Sequence, residues 1–329
     1  MQKVAIHTLS LAFSPLSNQE CEWLKDDPDV HALHNESKLY MIGQRVEVKF
    51  EKYILNEAEG CITFDLICGS DSIKNVRLPM EQFIQKASSD SLLAEIGPKM
   101  IRIRKAEEGK NLEECKVVHW LTPDRLFTFY AQGILEVEGL ENYRKFTTVD
   151  LHYVGLSRRN DSFSRLFRTA HENRSRILGN ETQITPTARL TDELMIFMFN
   201  VEDMQIVSMG IEDLNEADLN YEIHPLPPAQ LAADAEKAFI KILKSEYNLE
   251  RYEKYPRSSD GLFNSGFARY GFVLNECYSF KTETATIKGA RYYDFNRADQ
   301  PDLILVEGET VRLIKTGSMN ADIENHEEK

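Results

Sequence analysis

Positive charge is what this chain is short of. Its 39 lysines and arginines face 53 aspartates and glutamates, for a formal net charge of −14. Such a surface repels a polyanion at long range, so a nucleic-acid function requires a local basic patch that overrides the global sign. Cysteine is scarce: Cys21, Cys61, Cys68, Cys115 and Cys277 are scattered, odd in number, and never spaced C-x-x-C. That excludes a disulfide framework and a cysteine zinc site, and fits a reducing, cytoplasmic setting. No run approaches the roughly 18 apolar residues that a membrane span needs. Neither G-x-G-x-x-G nor G-x-x-x-x-G-K-[ST] occurs, which removes the two common phosphate loops. His31 and His34 stand three apart without a third ligand beside them.

What is present is an ordinary globular balance, 42% apolar and 28% charged over 329 residues, a length that favours more than one domain. The N-terminus lacks a small-residue cleavage site and reads as a first strand, Val4 to Phe13 partly alternating. Residues 1–125 read as a β-rich domain: LYMIGQRVEVKFEKYIL alternates, NEAEG turns, and CITFDLICGS supplies a partner strand. SSDSLLAEIGPK reads as a short helix closed by Gly97-Pro98. LFTFYAQGILEVEG and KFTTVDLHYVGLS read as strands, and SFSRLFRTAHENRSRIL as one helix. ELMIFMFNVEDMQIV reads as an apolar strand, and AQLAADAEKAFIKILKSEY as a long helix. An acidic loop runs from Glu212 to Glu222. Residues 259–329 read as a β-rich extension with a frayed acidic tail.

The basic patch exists. Between Arg158 and Arg176 six arginines stand against Asp161 and Glu172, a local excess of four positive charges. The guanidinium fork suits phosphate oxygens better than a lysine point charge. Arg158, Arg159, Arg168 and Arg174 are the candidates for gripping backbone phosphates.

Around that patch the sequence resembles GIY-YIG nuclease domains. The elements are Tyr153-Val154-Gly155, then Arg165-Leu166 on a helix, then Glu236-Lys237-Ala238-Phe239-Ile240, and Tyr247-Asn248 twelve residues after the glutamate. The resemblance covers about residues 130–250. It implies an α+β domain over 126–258, with a small central antiparallel sheet flanked by helices. It also implies a metal-dependent endonuclease that hydrolyses phosphodiester bonds, in DNA. Glu236 would hold Mg²⁺ or Mn²⁺, and Arg165 would neutralise charge on the scissile phosphate. Tyr153 would orient or deprotonate water, with His171 as an alternative proton acceptor. Gly155 would be structural at the site, and Asn248 would pin the end of the helix. The family's opening G-[IV]-Y has no counterpart upstream of Tyr153. Tyr143, in an Asn-Tyr context, and Tyr130 are the candidates for the second hydroxyl. The N-terminal segment would then select the target or a protein partner. Two other readings stay open: a nucleic-acid-binding or regulatory module that does not cut, and a protein-interaction scaffold.

Overall fold

A computed structural model describes residues 2–88, 91–159, 161–168, 170–208, 224–291 and 300–316. The acidic loop Glu212–Glu222 and the C-terminal tail lie outside the described residues. The chain forms two compact units that are not consecutive segments. Unit 1 comprises Met1–Arg45, Thr148–Thr182 and Leu190–Lys329; unit 2 comprises Val46–Thr147 and Gln183–Arg189. The β-rich material expected in front of the nuclease-like segment is therefore set inside it. Boundaries near residues 125 and 258 have no counterpart in this division.

Unit 1 opens with β1 (Gln2–Leu11), β2 (Leu16–Ser17), α1 (Asn18–Leu24), α2 (Pro28–His34) and β3 (Leu39–Gln44). Unit 2 then carries β4 (Val48–Asn56), β5 (Cys61–Cys68), β6 (Asp71–Pro79) and α3 (Glu81–Ala87). It continues with β7 (Leu92–Ile96), β8 (Ile101–Lys105), β9 (Val117–Leu121) and α4 (Pro123–Ala131). Its strands form two three-stranded antiparallel sheets, β4-β5-β6 and β7-β8-β9. Unit 1 resumes with β10 (Thr148–Leu156), α5 (Ser162–Phe167), α6 (Glu172–Asn180), α7 (Leu190–Glu193), β11 (Leu194–Ser208) and α8 (Pro228–Leu243). It ends with β12 (Arg269–Leu274), β13 (Ser279–Lys281), β14 (Thr286–Lys288), β15 (Leu303–Glu307) and β16 (Thr310–Ile314).

The fold class expected from the resemblance is overturned. Unit 1 is built on one large, mixed, nearly closed barrel-like sheet, ordered β14-β13-β10-β3-β11-β1-β12-β15-β16. The antiparallel run β10-β3-β11 is its middle, not the whole of it. β1 pairs with β11 over its full length and runs parallel to β12, so the N-terminal strand and the C-terminal strands extend one sheet. Nothing in a strand's own residues names its partner, and β1 reads equally well as part of a separate domain. β11 is apolar on both faces because both are covered. Leu194, Ile196 and Met198 join Tyr40, Ile42, Phe163, Leu166 and Ile177 in one core cluster. Phe197 packs instead on Tyr278 and Phe280, with ring centroids 5.1 and 4.9 Å away.

Three local expectations fail. The segment expected as a helix near residue 92 is strand β7, paired with β8. The segment expected as a strand from Leu126 is helix α4, which starts on the Thr122 cap and Pro123, a helix-opening pair. The single helix expected from Ser162 to Leu178 is two, α5 and α6, with His171 as the N-cap of the second.

The unit 1 strands that flank unit 2, β3 and β10, pair directly, with Gln44 opposite Asp150. Replacing residues 46–147 with a two-residue Asn-Gly turn, which suits an antiparallel hairpin, should therefore leave unit 1 folded. The expected result is a single cooperative thermal transition with retained near-UV circular dichroism. A non-cooperative melt would show that unit 1 depends on the insertion.

Candidate functional site

Two phenols lie on the paired strands β3 and β10. Tyr40 stands opposite Gly155 in the register, which makes Tyr153 its diagonal neighbour, with ring centroids 6.1 Å apart. The register shifts between Leu151 and Tyr153, an irregularity of the kind that re-aims side chains. Gly155 is required here: a Cβ would lie 2.5 Å from both the Tyr153 and Tyr40 rings. The phenol paired with Tyr153 in unit 1 is Tyr40. Tyr143 and Tyr130 belong to unit 2, where their rings pack edge to face.

His171 organises these phenols. Its Nδ1 accepts from the Arg174 backbone N–H at 2.9 Å, so in the neutral ring the proton sits on Nε2, which donates to Tyr40 Oη at 2.7 Å. Burial, with Arg165 and Arg174 nearby, pushes the ring down to about 4, so it is neutral at pH 7. The role expected for it as a proton acceptor is not what this geometry offers. Tyr40 in turn donates to the Tyr153 oxygen, which also accepts from Asn173. Burial raises both phenols, and Arg165 pulls each back down. Donors thus converge on Tyr153, the less buried of the pair; Tyr40 is 1% exposed.

Arg165 donates to the Ala170 carbonyl at 3.0 Å, which ties α5 to the residue before His171. Arg174 is spent inside the protein: it bonds Asn18, the Leu166 carbonyl and Glu22, and its guanidinium lies over Phe167. It does not grip phosphate. Arg158, Arg159 and Arg168 are exposed, and Arg158 pairs with Asp260 at 3.2 Å.

Helix α8 packs on β10, β3 and β11 and brings Glu236 to the phenols, each of which is raised by its charge. Glu236 is 8% exposed, and burial pushes it up to about 7 against the pull of Lys237 and Arg158. Tyr252 Oη reaches its carboxylate at 3.5 Å. Lys237, also buried, bonds the Ala233 carbonyl at 2.9 Å and Asp260 at 2.8 Å. One turn earlier Asp234 accepts from Tyr255 Oη and from the Leu262 N–H, which fixes the segment that carries Asp260.

α8 ends at Leu243 on a left-handed Lys244, so Tyr247 and Asn248 lie in the turn beyond it. There Asn248 Oδ1 accepts from the Val154 N–H at 2.9 Å and its Nδ2 donates to the Val154 carbonyl at 2.8 Å. Ser245 Oγ donates to the same Oδ1. The asparagine joins the end of the helix to the residue between Tyr153 and Gly155.

Among the described residues no group of three or more His, Cys, Asp or Glu is placed to hold a metal. Beside the phenols, Glu236 offers a hard oxygen ligand whose burial leaves its charge under-compensated. One such carboxylate fits Mg²⁺, which keeps most of its waters. His31 and His34 are used structurally, bonding the Lys25 and Val30 carbonyls. No helix of the described residues is long and apolar enough to cross a membrane. No protein-family model matches the chain, and no curated protein or solved structure matches it significantly.

Sequence reasoning missed Tyr40, Lys237, Tyr252 and Asp260. Tyr40 sits in the apolar run LYMIGQ, whose only signal is a tyrosine at a strand start; its partner strand lies beyond a whole inserted unit.

Two expectations follow. Asn248→Leu leaves the buried Val154 N–H and carbonyl unpaired, at about 1–3 kcal/mol for each group. Chemical denaturation should show a loss of about 2–6 kcal/mol for the two groups together, and a loss under 0.5 kcal/mol would refute the clamp. Glu236 has a raised folded pKa, so its cost to stability is absent below about pH 4.5 and complete above about pH 7. Glu236→Gln should therefore raise the metal-free Tm at pH 8, for a gain on the order of 3 kcal/mol, and leave it unchanged at pH 4. Excess Mg²⁺ should raise the wild-type Tm at pH 8 and not that of the variant.

Proposed function

We propose that the protein is a metal-dependent phosphodiesterase that cuts nucleic acid, with a site of the GIY-YIG type. The observation that carries this reading is the pairing of Tyr40 and Tyr153 over Gly155, with His171 bonded to Tyr40 and the charges of Arg165 and Glu236 acting on both phenols. Phosphodiester hydrolysis needs a deprotonated oxygen nucleophile, neutralisation of phosphoryl charge and a stabilised leaving oxygen.

Tyr153 orients the nucleophile. Burial and the charge of Glu236 hold its phenol above the ordinary value, so it stays protonated and positions the attacking water by hydrogen bonding. Tyr40 and His171 act behind it as positioning residues that hold the donor chain in one direction. Arg165 compensates charge on the phosphoryl oxygens, and Arg158, Arg159 and Arg168 engage flanking phosphates. Glu236 would hold Mg²⁺ or Mn²⁺, which when bound supplies Lewis-acid stabilisation of phosphate charge. The buried Lys237 and the half-exposed Asp260 form an ion pair, and Asp260 also holds Arg158 beside this carboxylate.

The non-cutting module drew its support from the absent first tyrosine, and the presence of Tyr40 beside Tyr153 favours the cutting reading over it. The scaffold reading needs the arginines to be satisfied by the protein's own carboxylates. Arg174 and Arg158 meet that description through Glu22 and Asp260, whereas Arg159 and Arg168 stand exposed.

The test is cleavage of supercoiled plasmid and of short labelled DNA and RNA with Mg²⁺ or Mn²⁺. Wild type should cut only with metal, and Glu236→Ala should abolish cutting while remaining folded. Tyr153→Phe and Arg165→Ala should each slow it roughly 10²-fold or more. Because metal competes with a proton on Glu236, the rate at limiting metal should climb with pH through about 7. Unchanged cleavage by folded Glu236→Ala would refute the proposal.

A further inference from the structure

Beside the site lies a cavity of about 500 Å³, lined in part by Lys38, Leu156, Arg158, Gln230, Ala233 and Asp260. Three features connect it to Glu236. Arg158 and Asp260 both act electrostatically on that carboxylate. Ala233 is one turn before Lys237 and accepts its ammonium. Leu156 and Arg158 continue the strand that carries Tyr153. The cavity is thus the space into which a chain bound across the phenols would run.

Its chemistry is specific. Roughly 300–1,000 Å³ is the size of a site for one small molecule, apolar walls with a few fixed polar groups being the usual design. A duplex does not fit such a volume; a single nucleoside does. Leu156 and Ala233 offer apolar wall to the face of a base. Lys38 and Arg158 place cations where its flanking phosphates would lie. Gln230 supplies an edge-reading group. Its Nε2 is anchored on the Gly261 carbonyl at 2.7 Å and also reaches Ser265 Oγ at 3.5 Å. The amide is thereby held in one orientation, with Oε1 as an acceptor for a base N–H. A paired base has already committed its Watson–Crick N–H donors, so an acceptor of this kind selects an unpaired one.

We propose that this cavity holds one unstacked, unpaired nucleoside next to the scissile phosphate, and so directs the enzyme to strands with a displaced nucleotide. The proposal rests on the nuclease reading for its substrate and adds what that reading does not contain, a preference for unpaired positions. Extruding a base from a duplex costs a few kcal/mol, and the cost is least where the base is already unpaired. The preference therefore arises from the substrate's own stacking energy and requires no sequence-specific contact.

The experiment uses full-length Glu236→Gln protein, so that binding is read without cleavage. The probes are a DNA duplex with one unpaired 2-aminopurine, the fully paired duplex, and their RNA equivalents. Binding to the unpaired probe should be at least tenfold tighter, with a rise in 2-aminopurine fluorescence as the base unstacks. Adding Ala229→Trp, an exposed position on the cavity wall, should bring the two affinities together; Ala229→Phe serves if the tryptophan variant is unstable. Equal affinities in the parent, or a preference that survives the filled cavity, would overturn the pocket. Wild-type cleavage is measured in parallel. Cutting of paired and unpaired DNA at equal rates overturns the pocket and leaves the nuclease; a cavity-dependent preference without cutting does the reverse. Absence of binding to every probe overturns both.

Discussion

The constraint on which the site depends is the antiparallel pairing that sets Tyr40 across from Gly155. It places two phenols side by side over a residue with no side chain, where any Cβ would collide with both rings. The Asn248 amide holds the neighbouring Val154 at N–H and carbonyl together. These two hydrogen bonds link the strand to the end of α8 and so fix Glu236 relative to the phenols. His171, freed from a helix interior by the break between α5 and α6, completes the chain of donors. A slip of one residue between β3 and β10 would send Tyr40 to the opposite face and undo all of it.

Helix α8 divides its work within one turn. Asp234 is spent on structure, through Tyr255 and the Leu262 N–H. Glu236 is left buried with too little compensation, and Lys237 turns to Asp260. Three ionisable groups on one buried helix are costly unless each is paired. Here the one that is least well paired is the one directed at the phenols. A destabilised carboxylate at that place is expected of a site awaiting a cation.

How much of this was legible in the sequence depended on distance along the chain. Several local signals were sound: the strands around Val149 and Phe197 and the long helix through Phe239 read from periodicity, and the asparagine beyond it from spacing. Glycine at 155 and arginine at 165 were legible as members of a motif. Tyr40 was not, because its proximity to Tyr153 is created by strand pairing across an inserted unit. The barrel-like sheet was missed for the same reason: β1 declares that it is a strand and not which strand it joins. α4 was misread because aromatic-rich LFTFYA suits a strand as well as a helix, while its Thr122-Pro123 start favours the helix. Arg174 counted toward a basic patch, yet its charge is consumed by Glu22 and Asn18. Composition registers charge and cannot register who neutralises it.

The placement of unit 2 between β3 and β10 also bears on how the chain reaches this arrangement. A long flexible segment between two pairing strands makes closure slow, since its entropy must be lost before the contact is gained. A segment that folds on its own is no longer long in that sense. Its two ends are held, and it behaves as the turn of a hairpin whose arms are β3 and β10. During synthesis the main part of the insertion, residues 46–147, precedes Tyr153 off the ribosome, while Gln183–Arg189 follows it. Assembly of the phenol pair then becomes a local event in a fold of high contact order.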